Sequence, residues 1–362
     1  MRNLPRRPFN RIIVVALVTL GFAVAPTTPV AATTSCGAEL YVTAIQGSRV
    51  QYIDTSSNVD LGDIYVGSNP SGIAVTPDGS TAYVANYGSS TVSVIDTATN
   101  TVTATIPVNA NPLGLAISPD GTMAIVSSIG SSVITVINLA TNATGTVPVG
   151  TSPAAVAFTP DGTRIYVVNY GSNNVTVLDS TTFMVLATIS VGLTPPTPPP
   201  PDGNAVGIAI TPDGTKAYVA DSGFNTVSII DTATNTVTSV IVVGANPFGV
   251  AISPDGTTLM VTNHGANSVS VITIATNTVI ATIGVGNGPR GILYSPDGST
   301  VYVANAGSNS VSVIDTATKT VVASTTGIGP NPSQVALGPC PTPPTPTTTT
   351  PSGDPVIPAF TG

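Results

Sequence analysis

The chain has 362 residues, of which only 7% are charged and none is tryptophan. Its apolar residues are mostly Val, Ile and Ala and its polar ones Thr, Ser and Asn, with 35 Gly and 33 Pro supplying turns. Branched side chains of this kind suit a pleated surface, so the composition reads as all-β. Nucleic-acid binding wants a basic face, which nine basic against seventeen acidic residues do not supply.

In chain order, Arg2, Arg6, Arg7 and Arg11 precede an apolar run from Ile12 to Ala25, and Val30-Ala31-Ala32 follows with small residues. This is the layout of a secretory signal, residues 1–32, with cleavage expected near Thr33. An uncleaved anchor is the competing reading. The Arg pair at 6–7 leaves Sec and twin-arginine export both open. Nine basic residues less these four leaves five, which against seventeen acidic ones gives a mature net charge of −12. The mature chain is expected outside the cytoplasm, without a membrane span.

A repeat occupies residues 33–340. Pro-Asp-Gly recurs at Asp78, Asp120, Asp161, Asp213, Asp255 and Asp297, about 42 residues apart except across a proline-rich insertion from Leu193 to Ala205. The unit from Gly72 to Gly114 holds four strand-like runs, GIAVT, TAYVAN, TVSVID and TVTATIPV. Pro77 presets a type I turn, Asp78 accepts local backbone hydrogen bonds and Gly79 takes the left-handed conformation. Four antiparallel strands per forty-odd residues is the pattern of a propeller blade. The runs are apolar or small on both faces, which fits blades covered on both sides. A parallel β-helix is the runner-up.

Seven innermost strands begin near Gly72, Gly114, Ala154, Gly207, Gly249, Gly291 and Gln334. The last, QVALGP, has no strands after it, whereas AELYVT, VQYID and DIYVG near the start have no innermost strand. One blade is therefore expected to be shared between the two chain ends, which closes the ring and removes free edges. The fold class predicted is a seven-bladed β-propeller.

The second strands read YVAN at Tyr83, YVVN at Tyr166, YVAD at Tyr218, MVTN at Met260 and YVAN at Tyr302. With PDG before them and VIDTATNTV after, these units resemble the YVTN family of β-propeller repeats. That resemblance implies an extracytoplasmic or surface-layer type of protein. The unit at Ile125 departs, with IVSS, which weakens any role for the motif Asn there.

Cys36 and Cys340, the only cysteines, both align with the PDG turn cut by the chain ends. A disulfide between them would fasten the closing blade, with two free thiols or a lipidated Cys36 as alternatives. The segment after Cys340 is Pro/Thr-rich, an extended spacer unable to build a core. Its final residues match a cell-wall sorting signal poorly.

Signals for chemistry are sparse. His264 is the only histidine and Glu39 the only glutamate, so neither a histidine-rich metal site nor a cofactor attachment is expected. Tyr87, Tyr170, Phe224 and His264 follow second strands, while Phe248 and Arg290 follow outer strands. By antiparallel parity all lie on one face of the disc, as does the insertion. These loops vary between repeats, whereas the PDG and DTATN turns hardly do. The expected ligand or partner site is therefore on this face, at Tyr87, Tyr170, Phe224, His264 and Arg290. The partner expected is a protein, glycan or small ligand, bound by a monomer. The shortage of His, Glu and Cys leads to an expectation of a non-enzymatic binding scaffold without hydrolase or redox activity. The alternative is a propeller enzyme or cofactor-bearing subunit, lactonase-like or dehydrogenase- or reductase-like.

Overall fold

The structure, a computed structural model, describes residues 38–191 and 207–338. The signal segment, both cysteines, the insertion from residue 192 to 206 and the tail lie outside the described residues. Seven four-stranded antiparallel sheets make up the rest, with only two single-turn 3-10 segments, Ser222–Phe224 and His264–Ala266.

Blades 1 to 6 span residues 70–107, 112–148, 153–190, 208–242, 247–284 and 289–326, each a meander of strands a to d from the channel outward. In blade 1 these are Pro70–Val75, Thr81–Asn86, Thr91–Asp96 and Thr101–Pro107. Blade 7 takes strand a, Pro332–Gly338, from the end of the described chain and strands b to d, Glu39–Ala44, Arg49–Asp54 and Val59–Tyr65, from its start. Tyr41 pairs with Ala336 across that junction. The closure expected from the unmatched strands is thus present. Six of the seven innermost strands begin at a proline, upstream of the glycine or alanine, because Pro70 and its counterparts already face the end of strand b. A proline is tolerated at a strand's first residue, where its missing N–H costs no ladder bond.

Each recurring letter of strand b has a packing task. The tyrosine hydroxyls clasp the next blade: Tyr166 donates to Asn235 Oδ1 at 2.9 Å, Tyr218 to Asn277 Oδ1 at 3.2 Å and Tyr41 to Asn100 Oδ1 at 2.7 Å. Those asparagines close the c–d turns with positive φ, which their short side chain tolerates. Hydroxyls at the third position reach a neighbouring innermost strand, as when Thr262 donates to Arg290 O at 2.7 Å. The terminal asparagine clamps strand c within its own blade. Asn86, for example, donates to Thr91 and Ser93, each at 3.0 Å. In blade 2 the clamp is transposed. Ser128 stands at the strand end, and Asn109 of the preceding connection donates to Thr135 instead, at 3.0 Å.

The PDG turns on the opposite face hold their own carboxylates. Asp78 accepts from Thr76 Oγ1 and from the Ser80 N–H, and these bonds hold its carboxyl below the usual carboxylate range. The same arrangement recurs at Asp120, Asp161, Asp213, Asp255 and Asp297. These carboxylates are turn clamps, and their own hydroxyl and amide donors occupy them.

Candidate functional site

The d–a and b–c connections share one face, and there the innermost strands open the central channel. The second residue of strand a lies at this end of the channel: Ser71, Ala154 and Ser333 are buried between blades, while Leu113, Phe248 and Arg290 are half-buried. The third residue forms the neck just below it. It is glycine in blades 1, 2, 4, 5 and 6, and alanine and glutamine at Ala155 and Gln334. A Cβ on Gly72, Gly114, Gly207 or Gly249 would run into the carbonyl oxygen of the next blade's innermost strand. Backbone approaches backbone there, and only glycine leaves the room.

Of the residues expected to form a site, the structure brings two together, around a third. The rings of Phe248 and His264 lie 6.1 Å apart at a 36° tilt, and the Arg290 guanidinium sits 5.7 Å from the centre of the Phe248 ring. All three are half-buried. His264 opens the 3-10 turn after strand b of blade 5. Its backbone N–H is held by Asn246 O at 2.9 Å, and its ring packs against Gly288 of the next connection. A guanidinium over an aromatic face is attracted by the ring quadrupole, which holds Arg290 against Phe248. The result is an imidazole, a cation and an apolar ring on two adjacent blades.

Tyr87, Tyr170 and Phe224 lie on the same face in blades 1, 3 and 4, but no ring contact joins them to this cluster among the described residues. Tyr170 packs against the apolar cluster between blades 3 and 4, and burial pushes its phenol up.

Two features went unweighed in the sequence. Asp221 ends strand b of blade 4, where four other blades carry asparagine. It is 5% exposed and accepts from Thr226 Oγ1 at 3.2 Å and Ser228 Oγ at 2.7 Å. Burial outweighs these hydrogen bonds and pushes its carboxyl up to about 6. The signal was YVAD standing among YVAN. The second is Tyr294, the last residue of strand a in blade 6. It is 7% exposed, its hydroxyl has no hydrogen-bond partner among the described residues, and burial raises its phenol. No group of three or more His, Cys, Asp or Glu side chains among the described residues gathers closely enough to hold a metal ion.

Seven four-stranded blades around a glycine-necked channel define a seven-bladed β-propeller. The family model of the seven-bladed β-propeller lactonases matches residues 65–279 and again 244–329. The chain belongs to that family. Among solved structures it is similar to hydrazine synthase of Kuenenia stuttgartiensis, with a TM-score of 0.69 and 26% identity, over 77% of this chain and 92% of that one. A functionally unknown protein of Desulfotomaculum acetoxidans shares the fold, with a TM-score of 0.72 and 19% identity, over 83% of this chain and 98% of that one. No curated protein matches.

These findings overturn the expectation of a non-enzymatic scaffold. The family is one of lactonases and a solved relative is named as an enzyme, whereas nothing in the comparisons supports a scaffold without chemistry. The expectation failed because it counted residue types over the whole chain. A reaction centre needs only a few groups at one place, which a count over the whole chain does not register.

Proposed function

We propose that this chain is an extracytoplasmic enzyme of the propeller lactonase type, acting on a cyclic ester at the channel mouth. The observation that carries this reading is the gathering of His264, Arg290 and Phe248 at that mouth in a member of a lactonase family. An imidazole titrates near neutrality and can take a proton from water as it attacks the ester carbonyl. The Arg290 guanidinium is placed to stabilise the oxyanion that forms. The carbonyl–oxygen bond of the ring then breaks, and the proton passes from His264 to the departing alkoxide. Water is consumed and a hydroxy acid released. Phe248 offers an apolar wall to the ring of the substrate. Tyr87, Tyr170 and Phe224 belong to the surrounding face as outer contacts for a ligand or partner.

The repeats are assigned to the YVTN type, and export, a Cys36–Cys340 disulfide and a monomeric state are parts of the same reading. The sequence features above support them. A second reading, a propeller serving a cofactor-bearing dehydrogenase or reductase, is favoured by the likeness to hydrazine synthase.

The test is hydrolysis of a panel of γ- and δ-lactones followed by proton release. His264→Ala and Arg290→Ala are each expected to lower kcat/KM about 100-fold or more with the fold intact. Failure of the wild-type protein to open any lactone, or unchanged rates in both variants, would sink the reading. A stoichiometric coloured cofactor in the purified protein would turn it to the second.

A further inference from the structure

Below the mouth the channel changes character. The neck encloses about 150 Å³ between the inner-strand glycines and Leu113. Toward the PDG face it shares Ile73, Val250 and Ile292 with a chamber of about 570 Å³ that opens to solvent at that face, past Ser253, Pro254, Ser295 and Pro296. The chamber walls are aliphatic, with Val75, Ile210, Ile252, Leu293, Val335 and Leu337, and no charged side chain lines it among the described residues. Its width has a local cause. Among the residues that line it, the one two after the neck position is alanine at Ala74, Ala209, Ala251 and Ala336, and only Leu293 intrudes. Tyr294 also lines this chamber, with its hydroxyl packed out of reach in the core between blades 5 and 6.

We propose that the channel takes a slender amphipathic substrate, a lactone or hydroxy acid bearing an unbranched alkyl chain. The oxygen-rich head sits at Phe248, His264 and Arg290. The chain passes the glycine neck, where branches would meet backbone, and lies in the aliphatic chamber. This rests on the lactonase reading for the head group alone, since the chamber is apolar whatever reaction occurs at the mouth.

Two measurements on the full chain separate the ideas. The first is calorimetric binding of hexanoate and decanoate. The second is kcat/KM for γ-butyrolactone and γ-decalactone. Each methylene buried in the chamber tightens binding about two- to fourfold, so decanoate is expected to bind at least tenfold more tightly than hexanoate. Ala251→Phe, which fills the chamber, should abolish that difference, while Leu293→Ala should retain it. If Ala251→Phe does not fold by circular dichroism, Ala209→Phe serves in its place. Equal binding of the two acids, no binding of either, or undiminished decanoate binding in the folded filling variant would overturn the proposal. Decanoate binding blocked by the filling variant, with no lactone opened, would uphold the chamber and reject the lactonase. Lactone opening without dependence on chain length, and without decanoate binding, would do the reverse.

Discussion

Asp221 shows how one atom changes the terms of a buried site. At the ends of the same strand in blades 1, 3, 5 and 6, an asparagine amide donates to two groups of strand c. In blade 4 the two hydroxyls turn round and donate to a carboxylate. Burial raises the folded carboxyl to about 6, above its ordinary 3.8. The folded protein therefore binds this proton more tightly than the unfolded chain does. The stability that the protonated group provides is full below about pH 4 and is lost as pH rises toward 6. The loss is about 3 kcal/mol, from a rise of about two pH units at about 1.4 kcal/mol each. Asp221→Asn removes the penalty. Thermal melts should show the variant more stable than wild type at pH 7.5, with the gap closing toward pH 4. A gap independent of pH would mean that the carboxyl titrates normally in the folded state.

At the scale of the element, the innermost strand is where the propeller is tightest, and its third position sets the bore of the neck. Gly249 sits against the Arg290 carbonyl and the Thr262 hydroxyl, which bond each other across the blade boundary. Gly249→Ala places a methyl group between them, and overpacking of this kind costs about 1–3 kcal/mol. The same wedge would push the Arg290 backbone away from Phe248. The expected result is a lower melting temperature together with weaker ligand binding at the mouth, whereas an Ala155→Gly change in blade 3 should leave the mouth as it is. Strand and turn positions were legible in the sequence because each letter of the repeat answers a local demand, such as φ > 0 at Gly79 or a hydroxyl beside Asp78. The grouping of His264 with Arg290 was legible only as a shared face, since their adjacency depends on the angle between blades 5 and 6. The aliphatic chamber was not legible at all. It arises from alanines in four different repeats that meet only once the ring is closed.

For the whole molecule, the ring is only as stable as its closure. Blade 7 joins strands from opposite ends of the described chain, from Glu39 paired with Gly338 onward to Ala44 paired with Pro332. Side chains reinforce the seam: Gln51 Oε1 accepts from the Gly329 N–H at 2.8 Å, and the Gln334 N–H donates to Thr43 Oγ1 at 3.0 Å. Each of the other blades is a continuous meander, so fraying of one strand leaves its neighbours tethered by turns. Strand a of blade 7 has no such tether to strand b, and its loss would expose two blade faces and open the ring. A bond between Cys36 and Cys340, which flank this seam in sequence, would supply the missing link. The loop it closes is nearly the whole propeller, for which chain entropy gives roughly 5 kcal/mol as an upper figure. Replacing Cys36 and Cys340 together by serine should therefore lower the melting temperature substantially, and reductant should lower that of the wild type to the same value. In the double variant, hydrogen exchange should quicken first at residues 39–44 and 332–338, with the amides of blades 3 and 4 still protected. Uniform loss of protection across all seven blades would show that the ring unfolds as a unit, with no weak seam for a disulfide to guard.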